Sequence, residues 1–546
     1  MTRELNLDDI QGNVTRAYGR FSFPFARYFF LNIADAEAGR QFVDRVRRRV
    51  TTATRWSPDD KPKVTLNIGF TFFGLYALGL PTRTLQGMPE AFIDGMKARA
   101  FILGDRDNTK TEEELGNWCG KWDPVWKDNR ASKGDDVHIW ISMNAQLSQL
   151  GTDIPVPELE EQTEWLRQQC ADLGGRVRIL AKNGMAGDQE YQSASAVFMD
   201  MNGMKIPTPR EHFGFADGIG DPVFEGQYSP EEEKIAVVGR GKRMSPEAGW
   251  QPLATGEFIL GHPDESQELP PTAMPPNFMH NGTFMVYRKL HENVSSFAEV
   301  IAEEAKTFAA QRGVSEDEAA ETLKGKMIGR WSDGVPLATA PTFEDWQAVR
   351  KAKGMDDPDP LKALEAHREY LKSADASNFG FADDMGGFKC PNGAHLRRVN
   401  TRDYLDPLNA PSGANPRATT QLNKRRRILR RGLPYGPDRL EGLTDDTEQG
   451  VAMMIIGASI FRQFEFVQQQ WIQYGLDFNQ GNHTCPLLGN HEHHKRYTIP
   501  SDPKSGQPPY FMSNLKTFVE TRGGDYFFIP SMTALHMIAY GIVDPT

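Results

Sequence analysis

Three short segments of this 546-residue chain bring together residue types that do chemistry. The first is His212-Phe-Gly-Phe-Ala-Asp-Gly-Ile-Gly-Asp-Pro222, where three glycines and a proline hold Asp217 among Phe213, Phe215 and Ala216. Glycine permits tight turns and close approach of backbone to a ligand. A carboxylate flanked by aromatic rings tends to be desolvated, which raises its pKa and suits it to proton transfer. By itself an Asp-Gly step is usually just a turn, and Gly380-Phe-Ala-Asp-Asp384 repeats the pattern without the following glycine. The second segment is Cys390-Pro-Asn-Gly-Ala-His395-Leu-Arg-Arg398, a histidine placed after a Pro/Gly turn, where it could ligate a metal. The third is Ile428-Leu-Arg-Arg-Gly-Leu-Pro-Tyr-Gly436, in which Arg430 could stabilise developing negative charge, because a guanidinium stays ionised. Taken singly, a structural histidine and a surface ion-pair arginine are the plainer readings of the last two. A further cluster, His483, His491, His493 and His494, has the residue type for zinc or copper, but its loop is polar and reads as surface.

Elements that must position these residues can be read from periodicity. Strand-like runs are Ala26–Ala34, Val64–Phe73, Val137–Met143 and Val177–Ala181, then Glu257–Leu260, Thr283–Tyr287, Leu396–Val399, Val451–Ala458 and Tyr526–Ile529. Helical stretches include Ala36–Val50, Pro157–Leu173, Val294–Gln311, Ser315–Ile328 and Phe461–Tyr474. Strands and helices mixed in both halves predict an α+β fold, and the length predicts two domains. Broken periodicity near residues 220–250 suggests the boundary. Segment 333–392 reads as a surface insertion carrying helices Phe343–Lys353 and Leu361–Ser373, and 479–507 as a loop-rich one.

Composition sets outer bounds. The chain is 39% hydrophobic and 25% charged, as in soluble globular proteins. Its net charge of −11 argues against non-specific nucleic-acid binding. The basic run Lys424–Arg431 is read as mostly a solvated face. No run approaches the roughly 20 apolar residues of a membrane span, and the N-terminal MTRELNLDDIQGN lacks the apolar core of a secretory signal, so a cytoplasmic location is expected. Four cysteines, Cys119, Cys170, Cys390 and Cys485, include no CxxC pair and fit a reducing compartment.

The three segments gain weight from occurring together, in this order. The chain resembles the dye-decolorizing peroxidase family through Gly214–Gly218 (GxxDG), GAHLRR around His395 and ILRRGLPYG around Arg430. Supporting matches are Asp9-Ile-Gln-Gly-Asn13, Asn281-Gly-Thr-Phe-Met-Val-Tyr-Arg288, Gln463-Phe-Glu-Phe-Val-Gln468 and Gly523-Gly-Asp-Tyr-Phe-Phe-Ile-Pro-Ser531, so the resemblance runs end to end, to the longer members of the family.

The resemblance implies two ferredoxin-like domains, each with an antiparallel sheet and peripheral helices: residues 1–225, ending in the distal GxxDG element, and 226–546, which would hold most of the haem. It implies haem b (iron protoporphyrin IX) with His395 as the axial iron ligand. That histidine's other ring nitrogen would donate to an acceptor, by expectation a carboxylate. Asp217 and Arg430 would be the distal pair acting on hydrogen peroxide, and dyes, phenols and similar donors would be oxidised through a ferryl intermediate. An aspartate as acid/base, with a reference pKa of about 3.9, would favour acidic pH. Arg330 is a candidate partner for a haem propionate, Met453 takes the place of a distal phenylalanine, and Gly432 stands where compact relatives carry asparagine. Tyr435 and Trp471 are candidate surface radical sites for bulky substrates. Neither nucleic acid nor membrane is an expected partner, and a homo-oligomer is allowed. The rival reading is a haem-binding or haem-handling protein, for iron removal or transport, with incidental peroxidase activity.

Overall fold

The computed structural model describes residues 5–105, 120–127, 136–245, 247–270, 272–409, 417–491 and 495–543. Apolar and β-branched runs form its strands. In chain order these are β1 (Phe25–Ile33), β2 (Val64–Phe70), β3 (Ile139–Ala145), β4 (Val177–Ile179) and β5 (Gln192–Ser195). A small antiparallel pair follows, β6 (Phe198–Met201) with β7 (Met204–Pro207). The C-terminal half supplies β8 (Thr283–Glu292), β9 (Leu429–Tyr435), β10 (Gly450–Gly457), a second small pair β11 (Tyr497–Ile499) and β12 (Tyr510–Met512), and finally β13 (Val519–Ile529).

Nine of these strands make one antiparallel sheet in the order β4-β1-β3-β2-β13-β8-β10-β9, with β5 also paired to β1. Within each half the order is fourth, first, third, second strand, the ferredoxin-like arrangement expected from the sequence. Among the described residues the sheet does not close into a barrel. Its halves meet at β2 and β13, where the register joins Phe70 to Phe528. Gln11, from the Asp9–Asn13 motif, staples that seam. Its Nε2 donates to the carbonyls of Ile68 and Pro530, each at 2.9 Å, and its Oε1 accepts from Ile68 N at 2.9 Å.

Helices cover the sheet through their apolar faces. Helix Ala36–Arg47 starts at Asp35, whose carboxylate accepts from Ala38 N, and buries Phe42, Val43 and Val46. Helices Val294–Arg312 and Glu316–Ile328 form a hairpin with its own apolar cluster around Phe297, Phe308 and Leu323.

Several sequence expectations are corrected. Leu396–Val399 is not a strand but part of a short helix, His395–Val399, in which Arg397 and Arg398 are buried. Glu257–Leu260 is no strand; a 3-10 turn covers Thr255–Glu257. Phe461–Tyr474 winds as two π-helical segments, Phe461–Glu465 and Val467–Ile472. Strand β9 is absent from the periodicity reading, because its arginines, glycine and proline hide the pattern; it lies at the sheet edge, where Pro434 is tolerated. The insertion 333–392 is more than surface, since Trp346, Tyr370, Phe379 and Cys390 build a second apolar core. Nor is the basic run a solvated face. Arg427 and Arg431 are buried, and Arg425 pairs with Asp264 at 2.5 Å. Of the cysteines, Cys170, Cys390 and Cys485 are free and buried, and Cys119 lies outside the described residues.

Candidate active site

The C-terminal half of the sheet forms one wall of a cavity with about 1530 Å3 of empty space, part of it open to solvent. Alternation along β10 turns Val451, Met453 and Ile455 to that side, while Glu292 comes from β8 and Arg430 from β9. His395 and Leu396, from the helix His395–Val399, line the same cavity, as do Leu487 and Leu488. Asp217 enters it on the Gly214–Gly218 loop.

Hydrogen bonds fix that loop. Glu211 accepts from the backbone N–H groups of Phe213 and Phe215, both at 2.8 Å, and Asp217 N donates to Pro209 O at 2.9 Å. Gly218, with φ +81°, makes the turn just after the aspartate. The last aspartate of the motif, Asp221, clamps β9, accepting from Arg430 N at 3.2 Å and from Arg431 Nη1 at 2.7 Å.

Asp217 and Arg430, 213 residues apart, form an ion pair through Asp217 Oδ1. The other carboxylate oxygen, Oδ2, accepts from Arg20 Nη2 at 2.8 Å. Asp217 therefore sits between two guanidinium groups, unlike the apolar setting that its phenylalanine neighbours suggest. Arg20 escapes a reading of the sequence because no motif surrounds it. Burial lowers the Arg20 pKa to about 10, against the opposing pull of Glu211 and Glu292. Those two glutamates are buried side by side. Burial raises both, and Glu292 rises well above its usual range because Glu211 adds a like charge. A second cavity, of about 860 Å3, shares Asp217, Gly218, Arg430 and Val451 with the first and reaches Phe21, Arg368 and Lys372.

His395 has its Nδ1 3.4 Å from Cys485 Sγ. Its Nε2 has no hydrogen-bond partner among the described residues. The expected carboxylate beside this histidine is thus replaced by sulfur. Arg398 braces the same helix from beneath, donating to the carbonyls of Gly393 at 2.8 Å, Trp471 at 2.9 Å and His483 at 3.0 Å.

Arg330 lines the cavity and donates through Nη1 to the carbonyls of Gly334 at 2.8 Å and Ala376 at 2.7 Å. Arg427, read in the sequence as part of a solvated basic face, also lines it and donates to Gly241 O at 3.1 Å and Arg240 O at 3.3 Å. Neither has an ion-pair partner among the described residues, and burial lowers each pKa to about 10. Two buried guanidiniums bonded only to backbone carbonyls leave positive charge for an anionic ligand to neutralise.

Other expectations separate from the site. Tyr435 is 1% exposed, under the Lys289 ammonium at 4.7 Å, and Trp471 is 2% exposed, with Nε1 donating to Asp477 at 3.0 Å. Neither is a surface residue: β9 pairs Tyr435 into the sheet, and Trp471 packs into the second core. Of the histidine cluster, His493 and His494 lie outside the described residues. His483 Nδ1 accepts from Arg496 N at 3.0 Å and His491 bonds within its own loop, so these two are structural. Asp384, in the near copy of the first motif, is also structural, pairing with buried Arg397 at 3.0 Å.

Known proteins share this fold. Residues 9–178 match the family described as the DyP dimeric alpha+beta barrel domain. Peroxidase 2 of Mycetinis scorodonius is 26% identical over 97% of this chain and 87% of its own length. A dye-decolorizing peroxidase of Mycena epipterygia is 25% identical over 98% of this chain and 87% of its own. Among solved structures, a fungal DyP-type peroxidase from Auricularia auricula-judae superposes with a TM-score of 0.70 at 22% identity, covering 98% of this chain and all of that one. A dye-decolorizing peroxidase in complex with 2,6-dimethoxyphenol gives 0.67 at 22% identity, over 98% of this chain and all of that one.

Proposed function

This chain is a member of the DyP-type peroxidase family, and from that premise we propose that it is a haem b peroxidase that reduces hydrogen peroxide and oxidises dyes, phenols and similar aromatic donors. The reading rests on one observation above all: Asp217, Arg430 and His395, far apart in sequence, line a single cavity. The cavity's chemistry fits haem. It offers an unpartnered imidazole nitrogen, His395 Nε2, an apolar lining including Val451, Ile455, Leu487 and Leu488, and two unneutralised guanidiniums, Arg330 and Arg427, suited to propionates. Its walls come mainly from residues after 225, so the second domain would hold most of the group.

Bound haem supplies the iron on which peroxide is reduced. The chain's own residues do the rest. His395 would hold the iron through Nε2. Asp217 takes the proton from one peroxide oxygen and returns it to the leaving oxygen. Arg430 offsets the negative charge that develops as the O–O bond breaks. Arg20 holds the second carboxylate oxygen and so keeps Asp217 aimed. Met453 lies on the same wall as Arg430 and shapes that side of the cavity. A passive haem carrier needs neither the aspartate nor the arginine, which is why peroxidase is preferred to haem handling. The test is peroxide-dependent oxidation of a bulky dye and a small phenol by the haem-loaded protein across pH. Oxidation of both, rising toward acid, is expected; oxidation of neither would overturn the proposal.

A further inference from the structure

We infer that the thiol of Cys485 is the hydrogen-bond acceptor that fixes His395 and sets how strongly this histidine donates to the iron. The inference rests on the haem reading above. A neutral imidazole that binds iron through Nε2 carries its proton on Nδ1. Nδ1 faces Cys485 Sγ at 3.4 Å, within the range of a hydrogen bond to sulfur, and so it donates and the sulfur accepts.

The sulfur is held in place for this task. Cys485 is fully buried, its N–H donates to Ile472 O at 2.7 Å, and Leu488 N approaches Sγ at 3.5 Å. Ile472 and Leu488 both line the cavity, so the loop carrying the thiol is tied to the wall it serves. No carboxylate pairs with His395 among the described residues.

Sulfur is a weaker acceptor than a carboxylate. A histidine donating to a carboxylate becomes more basic, and a metal ligand's outer partner tunes the metal through it. With Cys485 in that place, His395 keeps more of its proton and pushes less charge to the iron. Relative to a carboxylate in the same position, the ferric form is favoured less and the midpoint potential lies higher. Cys485 is thus a positioning and tuning residue, touching neither peroxide nor donor.

The experiment uses haem-loaded protein and reads the ferric/ferrous midpoint potential by spectroelectrochemistry and the ferrous iron–histidine stretch by resonance Raman. Cys485→Asp should lower the potential and raise the stretching frequency. Cys485→Ala, which removes the acceptor, should shift the stretch the other way. Cys485→Ser, nearly isosteric, keeps the test open should the aspartate not fold, and it too should move the band. Potential and band at parental values in the variants that load haem would overturn the inference. The haem reading fails separately if His395→Ala retains the parental Soret band and ligation state.

Discussion

Asp217 carries two guanidinium groups, Arg20 from the N-terminal half and Arg430 from β9. Their roles differ. Arg430 lines both cavities, while Arg20 is buried behind the carboxylate and lines only the second. Asp217→Asn should therefore keep haem but slow the reaction with peroxide by about 10²–10⁴-fold, the usual worth of a positioned acid/base. Arg430→Leu should slow it by about 10²–10³-fold. Stopped-flow mixing with peroxide checks both, and parental rates in both would remove their roles. Arg20→Leu should cost about one decade at the same step, or about 1.4 kcal/mol of transition-state stabilisation. Haem content should stay unchanged, measured by Soret absorbance per chain. The motif residues are legible because each sits in a recognisable local pattern. Arg20 and Cys485 are not, since each gains its meaning only from a residue 197 or 90 positions away.

Strands β9 and β10 show why element type matters as much as residue identity. Gly432, opposite Met453, has φ +121°, and a Cβ there would run into the Ala452 carbonyl oxygen. The asparagine of compact relatives cannot occupy this backbone. Gly432→Asn should destabilise the fold by about 2 kcal/mol or more, visible as a lowered Tm. A Tm equal to the parent's would show that the strand relaxes. Helix His395–Val399 is legible as a place but not as a conformation. Leu396 and Val399 suit a strand in a short window, and only the burial of Arg397 and Arg398 on opposing contacts selects the helix. The π-helical segment Val467–Ile472 puts Gln468 and Ile472 on the cavity with Trp471 between them, buried. If Trp471 relays electrons from bulky donors, Trp471→Phe should lower dye turnover several-fold and leave oxidation of a small phenol unchanged. Equal dye kinetics in steady-state assays would place that transfer elsewhere.

Across the whole molecule, stability is expected to fall with pH over the range in which the proposed chemistry should rise. Burial lowers His138, His291 and His491 to about 4 from an ordinary value near 6.5. A base whose folded pKa is depressed contributes stability above its unfolded pKa and loses it as pH falls through the folded one. The window therefore runs from about pH 6.5 down to about 4, and within it each ring loses about 1.4 kcal/mol per pH unit. Scanning calorimetry should show Tm falling by many degrees between about pH 7 and about pH 4.5. A flat Tm would mean that these rings stay neutral in the unfolded chain or charge without cost. The ferredoxin-like α+β plan is readable from motifs and periodicity, but the single sheet is not, because the seam between β2 and β13 joins Phe70 to Phe528 through backbone geometry. That seam has a consequence for biosynthesis. Strand β13 sits in the middle of the sheet, yet among the described residues it follows every other strand, and Val519 is the last of the cavity's lining residues to be made. Between Gly457, where β10 ends, and Val519, where β13 begins, a ribosome working at roughly 5–20 residues per second leaves the sheet in two pieces for roughly 3–12 seconds. During that time the nascent chain lacks part of the cavity wall, and the full set of lining residues comes together only once β13 has been made.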